Sequence, residues 1–350
     1  MLDADDRSST GSFPAEEMNL TNCSYDYGNI ENKMLPALYT ITFIIGFVGN
    51  AWGLKLLLQK WQKLGNINVF VLNLGLANVL YLFTLPFLIV YYFSGRKWIF
   101  GDIFCKMTRF CFNVNLYCSI GFLTCISVYR YLAIVHPLRM MGRLTVTRSV
   151  LISVLVWLLV IVQSMPDIFF PKSVNGTEKC FHSTSHEKTE DYLTYSLVWT
   201  TTGFCIPLLV TLGCYGHVTF VLCRRNTIEK TLRQKCVKFL FILILLFSVC
   251  YIPYHVFRNL SLFSVIQSKQ NICVWWDKPV FTGHQISRGL VCLNSALNPM
   301  VYLQMSEHIL IHIRQLPQQV CKIFHYMFVC SRNRISINTG QTKSLDTPSH

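Results

Sequence analysis

The chain has 350 residues, of which 52% are hydrophobic and only 14% are charged. A soluble domain averages about 25% charged residues, so this composition argues against a soluble protein and favours one that lies in a membrane. The formal net charge of +14 would suit a nucleic-acid-binding protein, but the basic residues are concentrated in alternate short loops between apolar segments. That placement is typical of cytoplasmic loops and gives no reason to expect a nucleic-acid partner.

Seven apolar segments are each long enough to cross a bilayer, which takes about 20 residues of helix. Their periods are helical rather than alternating, so we predict an all-α fold, a seven-transmembrane helix bundle. The bundle would occupy residues 35–303, between an extracellular N-terminal segment (1–34) and a cytoplasmic tail (304–350) that starts with a short amphipathic eighth helix at Ser306–Leu316. In chain order the predicted spans are Leu35–Gln59, Asn68–Phe93, Asp102–His136, Val146–Phe170, Tyr192–Cys223, Lys235–Phe263 and Pro279–Leu303.

The orientation of the predicted bundle follows from the charges of its loops. Lysines and arginines crowd the first, third and fifth connections and the tail, so the positive-inside rule places these parts in the cytoplasm and the N-terminus outside. We therefore expect a multi-pass plasma-membrane protein. Three sequons on the predicted outer side agree with this orientation, and their asparagines are candidate glycosylation sites: Asn19, Asn22 and Asn175.

Three arginines lie near the ends of apolar spans, where a charged side chain costs about 3 kcal/mol or more. Arg258 follows His255 by three residues, and Arg288 follows Gln285 by three, so each pair shares one helix face. Guanidinium groups bind phosphate and carboxylate oxygens with two parallel hydrogen bonds. Together with Arg109, these pairs predict a cationic site for an anionic small molecule. The alternative is that each arginine extends its head to the lipid headgroups, but two matched pairs favour the site.

Other features of the spans would not be needed in a static anchor. Arg130 lies 21 positions after Arg109, or about 31 Å along a helix, so one helix carries an arginine near each membrane surface. Such an arrangement is typical of a signal transducer, with a ligand at one end and a partner at the other. Prolines within spans remove backbone hydrogen bonds and bend helices, and buried asparagines need partners on other helices. These residues are Pro86, Pro166, Pro207, Pro253 and Pro299, and Asn50, Asn78, Asn294 and Asn298.

Most of the 15 cysteines fall within spans, where a thiol packs as a small apolar group. Four cysteines at outer positions allow three disulfide pairings, and their spacing does not choose among them. These four are Cys23, Cys105, Cys180 and Cys273.

Over about residues 35–316, the landmarks of the spans resemble those of rhodopsin-like (class A) G-protein-coupled receptors. They are Gly49-Asn50, Leu74 with Leu76-Ala77-Asn78, Arg130-Tyr131, Trp157, Pro207 with Tyr215, Phe247 with Pro253, and Asn298-Pro299-Met300-Val301-Tyr302. Further segments resemble the purinergic nucleotide receptors, closest to the ADP-responsive, phospholipase-C-coupled type, although succinate and 2-oxoglutarate receptors share much of the pattern. They include Trp98-Ile99-Phe100-Gly101-Asp102, Ile152-Ser153-Val154-Leu155-Val156-Trp157-Leu158, Leu212-Gly213-Cys214-Tyr215-Gly216, His255-Val256-Phe257-Arg258 and Arg288-Gly289-Leu290.

The resemblance implies a receptor rather than an enzyme, with no cofactor or metal. It implies two disulfides, Cys105 with Cys180 and Cys23 with Cys273. The ligand site that it implies contains Arg109, His255, Arg258, Gln285 and Arg288, with Phe112 and Tyr117 lining the cavity and Asn113 standing where a histidine is usual.

The resemblance also implies a cytoplasmic switch that couples to a G protein. Its expected partners are a heterotrimeric G protein of the phospholipase-C-activating class, arrestin and a receptor kinase, besides the anionic ligand and membrane lipid. The switch residues are Arg130, Tyr131, Tyr215, Pro253, Asn298, Pro299 and Tyr302.

One departure from the family concerns a buried cation. Family members carry a buried aspartate in the second span that helps to hold a sodium ion, and here the residue is Asn78. Because a hard cation prefers charged oxygen ligands, we expect Asn78 and Asn298 to hydrogen-bond directly and the receptor to show little sodium sensitivity.

The preferred function is a receptor for an extracellular adenine nucleotide such as ADP, signalling through phospholipase C and calcium. A receptor for a dicarboxylate metabolite would use the same cations with fewer aromatic contacts. An anion transporter is the alternative from another class, but transporters usually show internal repeats and sites at the membrane midplane, whereas these arginines lie in the outer third. A receptor that binds ligand without coupling is a further alternative, because the predicted eighth helix contains few basic residues.

Overall fold

The computed structural model describes residues 33–59, 65–95, 97–137, 145–169, 180, 189–224, 241–242, 244–270, 272 and 275–304. Within these residues the chain is helical and contains no strand, which confirms the all-α fold. The predicted eighth helix at Ser306–Leu316 lies outside the described residues. The helices are α1 (Leu35–Gln59), α2 (Asn66–Leu82), α3 (Leu85–Phe93), α4 (Asp102–Val135), α5 (Val146–Ser164), α6 (Pro166–Phe169), α7 (Thr189–Thr200), α8 (Ile206–Arg224), α9 (Ile252–Lys269) and α10 (Asp277–Gln304).

A short turn divides each of two predicted spans into two helices. The span predicted as Asn68–Phe93 divides at a turn between α2 and α3, two residues before Pro86. The span predicted as Val146–Phe170 divides between α5 and α6, directly before Pro166, and Phe170 lies outside the described residues. Because proline has no backbone N–H, it begins a helix more readily than it continues one.

Three spans begin earlier than predicted, the first of them α2, which begins at Asn66 rather than at Asn68. α7 begins at Thr189 rather than at Tyr192, with two acidic residues in its first turn, and α10 begins at Asp277 rather than at Pro279. Carboxylates interact favourably with the N-terminal end of the helix dipole. Hydropathy does not reveal this interaction between carboxylates and the helix dipole, because a hydropathy scale scores acidic residues only as polar.

The sixth span ends later than predicted. α9 continues past Phe263 to Lys269, while the predicted start at Lys235 lies outside the described residues. The Phe263 ring stacks on Trp276 with centroids 6.4 Å apart, and the Ser264 hydroxyl donates a hydrogen bond to the Asp277 carboxylate. These contacts with the start of α10 stabilise the additional turns of α9.

Two π-helical turns that the structure describes in full precede prolines in the bundle. Thr201–Cys205 forms one between α7 and α8, just before Pro207, and Phe247–Tyr251 forms the other, just before Pro253. A proline ring clashes with the carbonyl four residues earlier in a regular α-helix, and a π turn, with its extra residue, relieves that clash. The bends predicted at these two prolines therefore take the form of local π turns.

Five described segments are long and apolar enough to cross a membrane: Leu35–Lys55, Asn66–Phe93, Asp102–Val135, Val146–Phe169 and Thr189–Leu222. Their outward faces carry large exposed apolar side chains, among them Ile44, Leu159 and Leu209. Contiguous exposed apolar surface is typical of a face that contacts lipid. α9 and α10 pack against each other, and α10 also packs against α1, which completes the bundle.

A cluster of buried polar side chains joins α1, α2, α4 and α10. Asn78 Oδ1 accepts hydrogen bonds from Asn115 and Asn298, each at 3.0 Å, and Asn78 Nδ2 donates to Asn50 Oδ1 at 3.1 Å. The Ser295 hydroxyl donates to Asn115 Oδ1 at 2.9 Å. The direct hydrogen bond predicted between Asn78 and Asn298 is present. We call these five residues the amide cluster.

Candidate ligand-binding site

All eight residues predicted to bind the ligand are buried, with exposed fractions between 1% for His255 and 7% for Arg288. Arg258 Nη1 donates to the Tyr117 hydroxyl at 3.5 Å, and the Tyr117 and His255 rings are 5.9 Å apart, so α9 contacts α4. The Tyr254 ring lies 5.6 Å from the Phe112 ring, 5.9 Å from Arg258 Cζ and 5.9 Å from the ring of His284, which is the neighbour of Gln285 on α10. The structure therefore brings the predicted residues into one cluster, the arginine site, formed by Arg109, Phe112, Asn113, Tyr117, His255, Arg258, Gln285 and Arg288.

Aromatic side chains hold Arg258 in place. Its Nη2 donates to the Tyr192 hydroxyl at 3.0 Å, and its Cζ lies 5.7 Å from the Tyr192 ring and 5.9 Å from the Tyr254 ring. A desolvated guanidinium gains about 2 kcal/mol from a cation–π contact of this kind. Because these partners are neutral, they orient the guanidinium without neutralising it.

The arginine site also contains a buried carboxylate that the sequence analysis missed. Asp167 on α6 is 1% exposed. Its Oδ2 accepts a hydrogen bond from Asn113 Nδ2, and its Oδ1 accepts one from the Tyr192 hydroxyl at 2.7 Å and lies 3.6 Å from Arg109 Nη2. A buried charge needs such partners, since removing one from a pair costs about 3–5 kcal/mol. One aspartate therefore offsets part of the charge that three arginines give to the predicted cationic site.

Three polar atoms of the site are buried and make no hydrogen bond among the described residues. They are Arg109 Nη2, Asn113 Oδ1 and His255 Nε2. Buried polar groups are normally hydrogen-bonded, and leaving one unsatisfied costs about 1–3 kcal/mol. These atoms therefore mark positions at which a bound polar molecule would gain hydrogen bonds. Two of them are donors or potential donors, which suits an anion.

Aromatic rings form one wall of the arginine site. The Phe112 ring lies 5.7 Å from Tyr81 and 5.6 Å from Tyr254, both edge to face. Across the site, Arg288 Nη1 donates to Gln285 Oε1 at 3.2 Å, so the pair predicted from its three-residue spacing interacts. Rings that pack edge to face keep fixed positions. The site thus offers a flat organic group an aromatic surface next to cations that bind oxygen atoms.

His255 connects the arginine site to the two π turns. Its ring stacks on Phe204 at 4.4 Å, and its Nδ1 lies 3.4 Å from the Thr200 hydroxyl. Phe204 also stacks on Phe247 at 6.5 Å. Phe204 and Phe247 belong to different π turns, so the two turns are in contact directly beneath His255.

Three residues of the site were missed from sequence, and only one of them carried a clear signal. Asp167 is the only acidic residue in the predicted fourth span, and an ionisable residue within a span is a functional candidate by the rule that identified the arginines. Tyr192 and Tyr254 carried no such signal, because tyrosine is common near the ends of membrane spans.

A disulfide lies at the same end of α4 as Arg109. Cys105, four residues before Arg109, is bonded to Cys180, with Cα atoms 5.7 Å apart. Four residues are about one helical turn, so the disulfide holds Cys180 at a point on α4 about one turn from Arg109. The other predicted bridge, Cys23–Cys273, lies outside the described residues, as do the predicted glycosylation sites Asn19, Asn22 and Asn175.

Four described residues of the predicted switch lie away from the arginine site: Arg130 and Tyr131 near the C-terminal end of α4, Tyr215 in the middle of α8 and Asn298 near the C-terminal end of α10. Arg130 and Tyr215 are buried, as is Asn298 in the amide cluster. The Tyr131 hydroxyl lies 3.3 Å from His217 Nδ1. The remaining switch residues are Pro253 near the start of α9 and Pro299 and Tyr302 on α10, and the Tyr302 side chain is not among those described.

The fold and the site together define a class of protein. The family described as 7 transmembrane receptor (rhodopsin family) matches residues 49–302, a range that includes the arginine site and the amide cluster. The chain belongs to this family of membrane receptors, which are not enzymes, and is a multi-pass protein of the plasma membrane.

Individual relatives confirm the resemblance to the purinergic group within that family. Purinoceptor 1 of Rattus norvegicus is 42% identical over 272 residues, which cover 77% of this chain and 73% of the relative. Purinoceptor 1 of Homo sapiens is 39% identical over 283 residues, covering 80% and 76%. The 2-oxoglutarate receptor 1 of Rattus norvegicus is 34% identical over 291 residues, covering 83% and 86%.

Proposed function

We propose that this receptor binds an extracellular adenine nucleotide such as ADP in the arginine site and signals through phospholipase C and intracellular calcium. The observation that carries the proposal is the burial of Arg109, Arg258 and Arg288 in one cluster beside the rings of Phe112 and Tyr117. Phosphate groups supply the charged oxygens that guanidinium groups bind best, and a purine ring packs well against aromatic side chains.

The charge of the arginine site supports a ligand with several negative charges. Three arginines and Asp167 leave a net charge of about +2 on the ionisable side chains described there, with His255 counted as neutral. A monoanion would leave part of that charge unneutralised in a low-dielectric site. The name purinoceptor, carried by the relatives of rat and man, supports a purine ligand over a pyrimidine one.

The charged loops support an orientation in which the N-terminal segment lies outside the cell. With the basic loops in the cytoplasm, the sequons at Asn19, Asn22 and Asn175 are extracellular. The ligand would then enter from the extracellular side, where the Cys105–Cys180 disulfide lies. On the cytoplasmic side, Arg130 contacts a heterotrimeric G protein of the phospholipase-C-activating class, and arrestin and a receptor kinase act on the active receptor.

In this proposal the switch residues rearrange when the ligand binds. Tyr215 and Tyr302 move towards Arg130 as the sixth span pivots near Pro253, while Tyr131 and the Asn298-Pro299 segment adjust around them. The position of Arg130 within α4, 21 residues after Arg109, supports this coupling, because one continuous helix joins the two sites.

A dicarboxylate ligand is the second candidate. The 34% identity to a 2-oxoglutarate receptor supports it, as does Asp167, because a site with net charge of about +2 matches two carboxylates. The three buried arginines and the aromatic wall favour the nucleotide, since a short dicarboxylate would leave much of the aromatic surface without contact.

A calcium-mobilisation assay in cells expressing the receptor tests the proposal. The panel contains ADP, ATP, UDP, succinate and 2-oxoglutarate, applied to wild type, Arg258→Ala and Arg288→Ala at matched surface expression. Each substitution should reduce nucleotide potency by about 30-fold or more, because losing one partner of a desolvated charge contact costs about 2–5 kcal/mol. Lys106→Ala is the matched control, since Lys106 is partly exposed and pairs with Asp102 at 2.7 Å.

The outcomes separate the candidates. A response to succinate or 2-oxoglutarate without a nucleotide response would identify a metabolite receptor. Nucleotide potency that is unchanged in both arginine variants would show that the ligand binds elsewhere.

A further inference from the structure

Asp167 connects two of the three arginines of the arginine site. Its Oδ1 lies 3.6 Å from Arg109 Nη2 and accepts a hydrogen bond from the Tyr192 hydroxyl, which itself accepts one from Arg258 Nη2. The carboxylate therefore reaches Arg109 directly and Arg258 through a single hydroxyl group. An anionic ligand would be bound by these same two guanidinium groups, so ligand oxygens and the Asp167 carboxylate compete for them.

The carboxylate has opposite effects on the empty and occupied site. Without ligand, the buried guanidinium groups repel one another, and a negative charge among them reduces that repulsion. When an anion binds, the same carboxylate repels it, and the repulsion grows with each additional charge on the ligand. Because the Asp167 carboxylate stabilises the empty site and repels a bound anion, it affects how many negative charges on a ligand give the tightest binding.

We propose that Asp167 is an internal counterion that sets the ligand-charge preference of the arginine site. In the ligand-free receptor it holds Arg109 and Arg258, and the anionic oxygens of the ligand take over these contacts on binding. The identity of the ligand as a nucleotide rests on the proposed function, whereas the direction of the effect applies to any anion that binds these arginines.

Asp167→Asn removes the charge while keeping the hydrogen bonds. The side chains are nearly the same size, and the asparagine carbonyl oxygen can accept from Tyr192 as Oδ1 does now. Its amide nitrogen would face Asn113, whose Oδ1 makes no hydrogen bond among the described residues. Asn113 needs only to rotate its amide to accept this new donor. The variant therefore tests charge separately from packing, and Asp167→Ser is a second neutral variant should the asparagine form not reach the surface.

The experiment measures the potencies of AMP, ADP and ATP by calcium mobilisation at matched surface expression, together with succinate and 2-oxoglutarate. Asp167→Asn should raise ADP potency by about tenfold, with a larger gain for ATP and a smaller gain for AMP. Asp102→Asn is the control. Asp102 begins α4, the helix that carries Arg109, but its side chain is 62% exposed. This substitution should therefore change the potencies of all the ligands only slightly. Tyr192→Phe removes the bridging hydroxyl but no charge, so it should shift the three nucleotides by one common factor.

The results distinguish failure of this inference from failure of the proposed function. If wild type responds to nucleotides and Asp167→Asn leaves their potencies unchanged, or lowers them by one common factor, Asp167 is a structural residue and the counterion role is wrong. If only a dicarboxylate activates the receptor and Asp167→Asn raises its potency, the nucleotide proposal is wrong while the counterion role stands.

Discussion

Replacing Asn78 by aspartate is expected to give this receptor a sodium dependence, whereas we expect little or none in the wild-type chain. Asn78 uses both ends of its amide: Oδ1 accepts from Asn115 and Asn298 at 3.0 Å, and Nδ2 donates to Asn50 Oδ1 at 3.1 Å. An aspartate retains both accepted hydrogen bonds, but it places an oxygen opposite the Asn50 oxygen. The substitution therefore changes a hydrogen bond into a contact between two acceptors.

Asn50 is not free to relieve this contact by turning its amide. Its Nδ2 already donates to the carbonyl oxygens of Gly46 at 2.8 Å and Ser295 at 2.9 Å. An unsatisfied buried group costs about 1–3 kcal/mol, and the buried negative charge adds to that cost. A small cation between the two oxygens removes both penalties. A sodium ion bound only to the inactive conformation, at about ten times its dissociation constant, stabilises that conformation by about 1.4 kcal/mol, which lowers agonist affinity about tenfold.

Agonist binding to membranes in sodium chloride and in N-methyl-D-glucamine chloride measures this effect. Wild type should bind agonist equally in the two salts, whereas Asn78→Asp should bind it about tenfold more weakly in sodium. Asn73→Asp is the control, because it adds the same charge to α2 at a half-buried residue that accepts a hydrogen bond from Trp157 and lies outside the amide cluster. A large sodium-specific loss of affinity in wild type would refute the reasoning.

Other substitutions test the walls and anchors of the arginine site. A Cβ added at Gly203 would lie 2.5 Å from Gln163 Nε2 and 2.9 Å from Tyr117 Cε1, so Gly203→Ala should displace both side chains, at a cost of about 1–3 kcal/mol in stability, and should weaken agonist binding; unchanged agonist affinity would contradict this. Arg258→Lys keeps the charge but not the planar fork, so its loss of potency in the calcium assay should be about tenfold smaller than that of Arg258→Ala, and equal losses would argue against bidentate binding. Cys105→Ser frees Cys180 and should lower the free energy of unfolding by about 2–5 kcal/mol, visible as a lower melting temperature of the purified receptor, whereas an unchanged melting temperature would show that the bridge does not contribute.

The cationic part of the arginine site was predictable from sequence because it follows from two simple rules. Charge within an apolar span is costly, which identified Arg258 and Arg288, and residues three apart share a helix face, which paired them with His255 and Gln285. The carboxylate of Asp167 was missed although the first of these rules applies to it. Its role depends on contacts with α4 and α7 that no local pattern contains.

The number of spans and the all-α fold followed from hydropathy, but the irregularities within the spans did not. The prolines indicated bends without indicating their form, since Pro86 and Pro166 follow breaks between helices whereas Pro207 and Pro253 follow π turns. All four lack a backbone N–H. The packing around each proline decides whether a break or a π turn precedes it, and that packing depends on contacts between helices that the local sequence does not show.

The paired π turns have a consequence for how α8 and α9 can move. A π turn holds one more residue than an α turn, so converting it to a regular α-helix would rotate the rest of that helix by about 100°. Because Phe204 and Phe247 come from different turns and stack at 6.5 Å, such a rotation in one helix would pull its ring away from the other. Rotation of the fifth span is thus coupled to rotation of the sixth at one aromatic contact, and His255, stacked on Phe204 at 4.4 Å, links the arginine site to the same rotation.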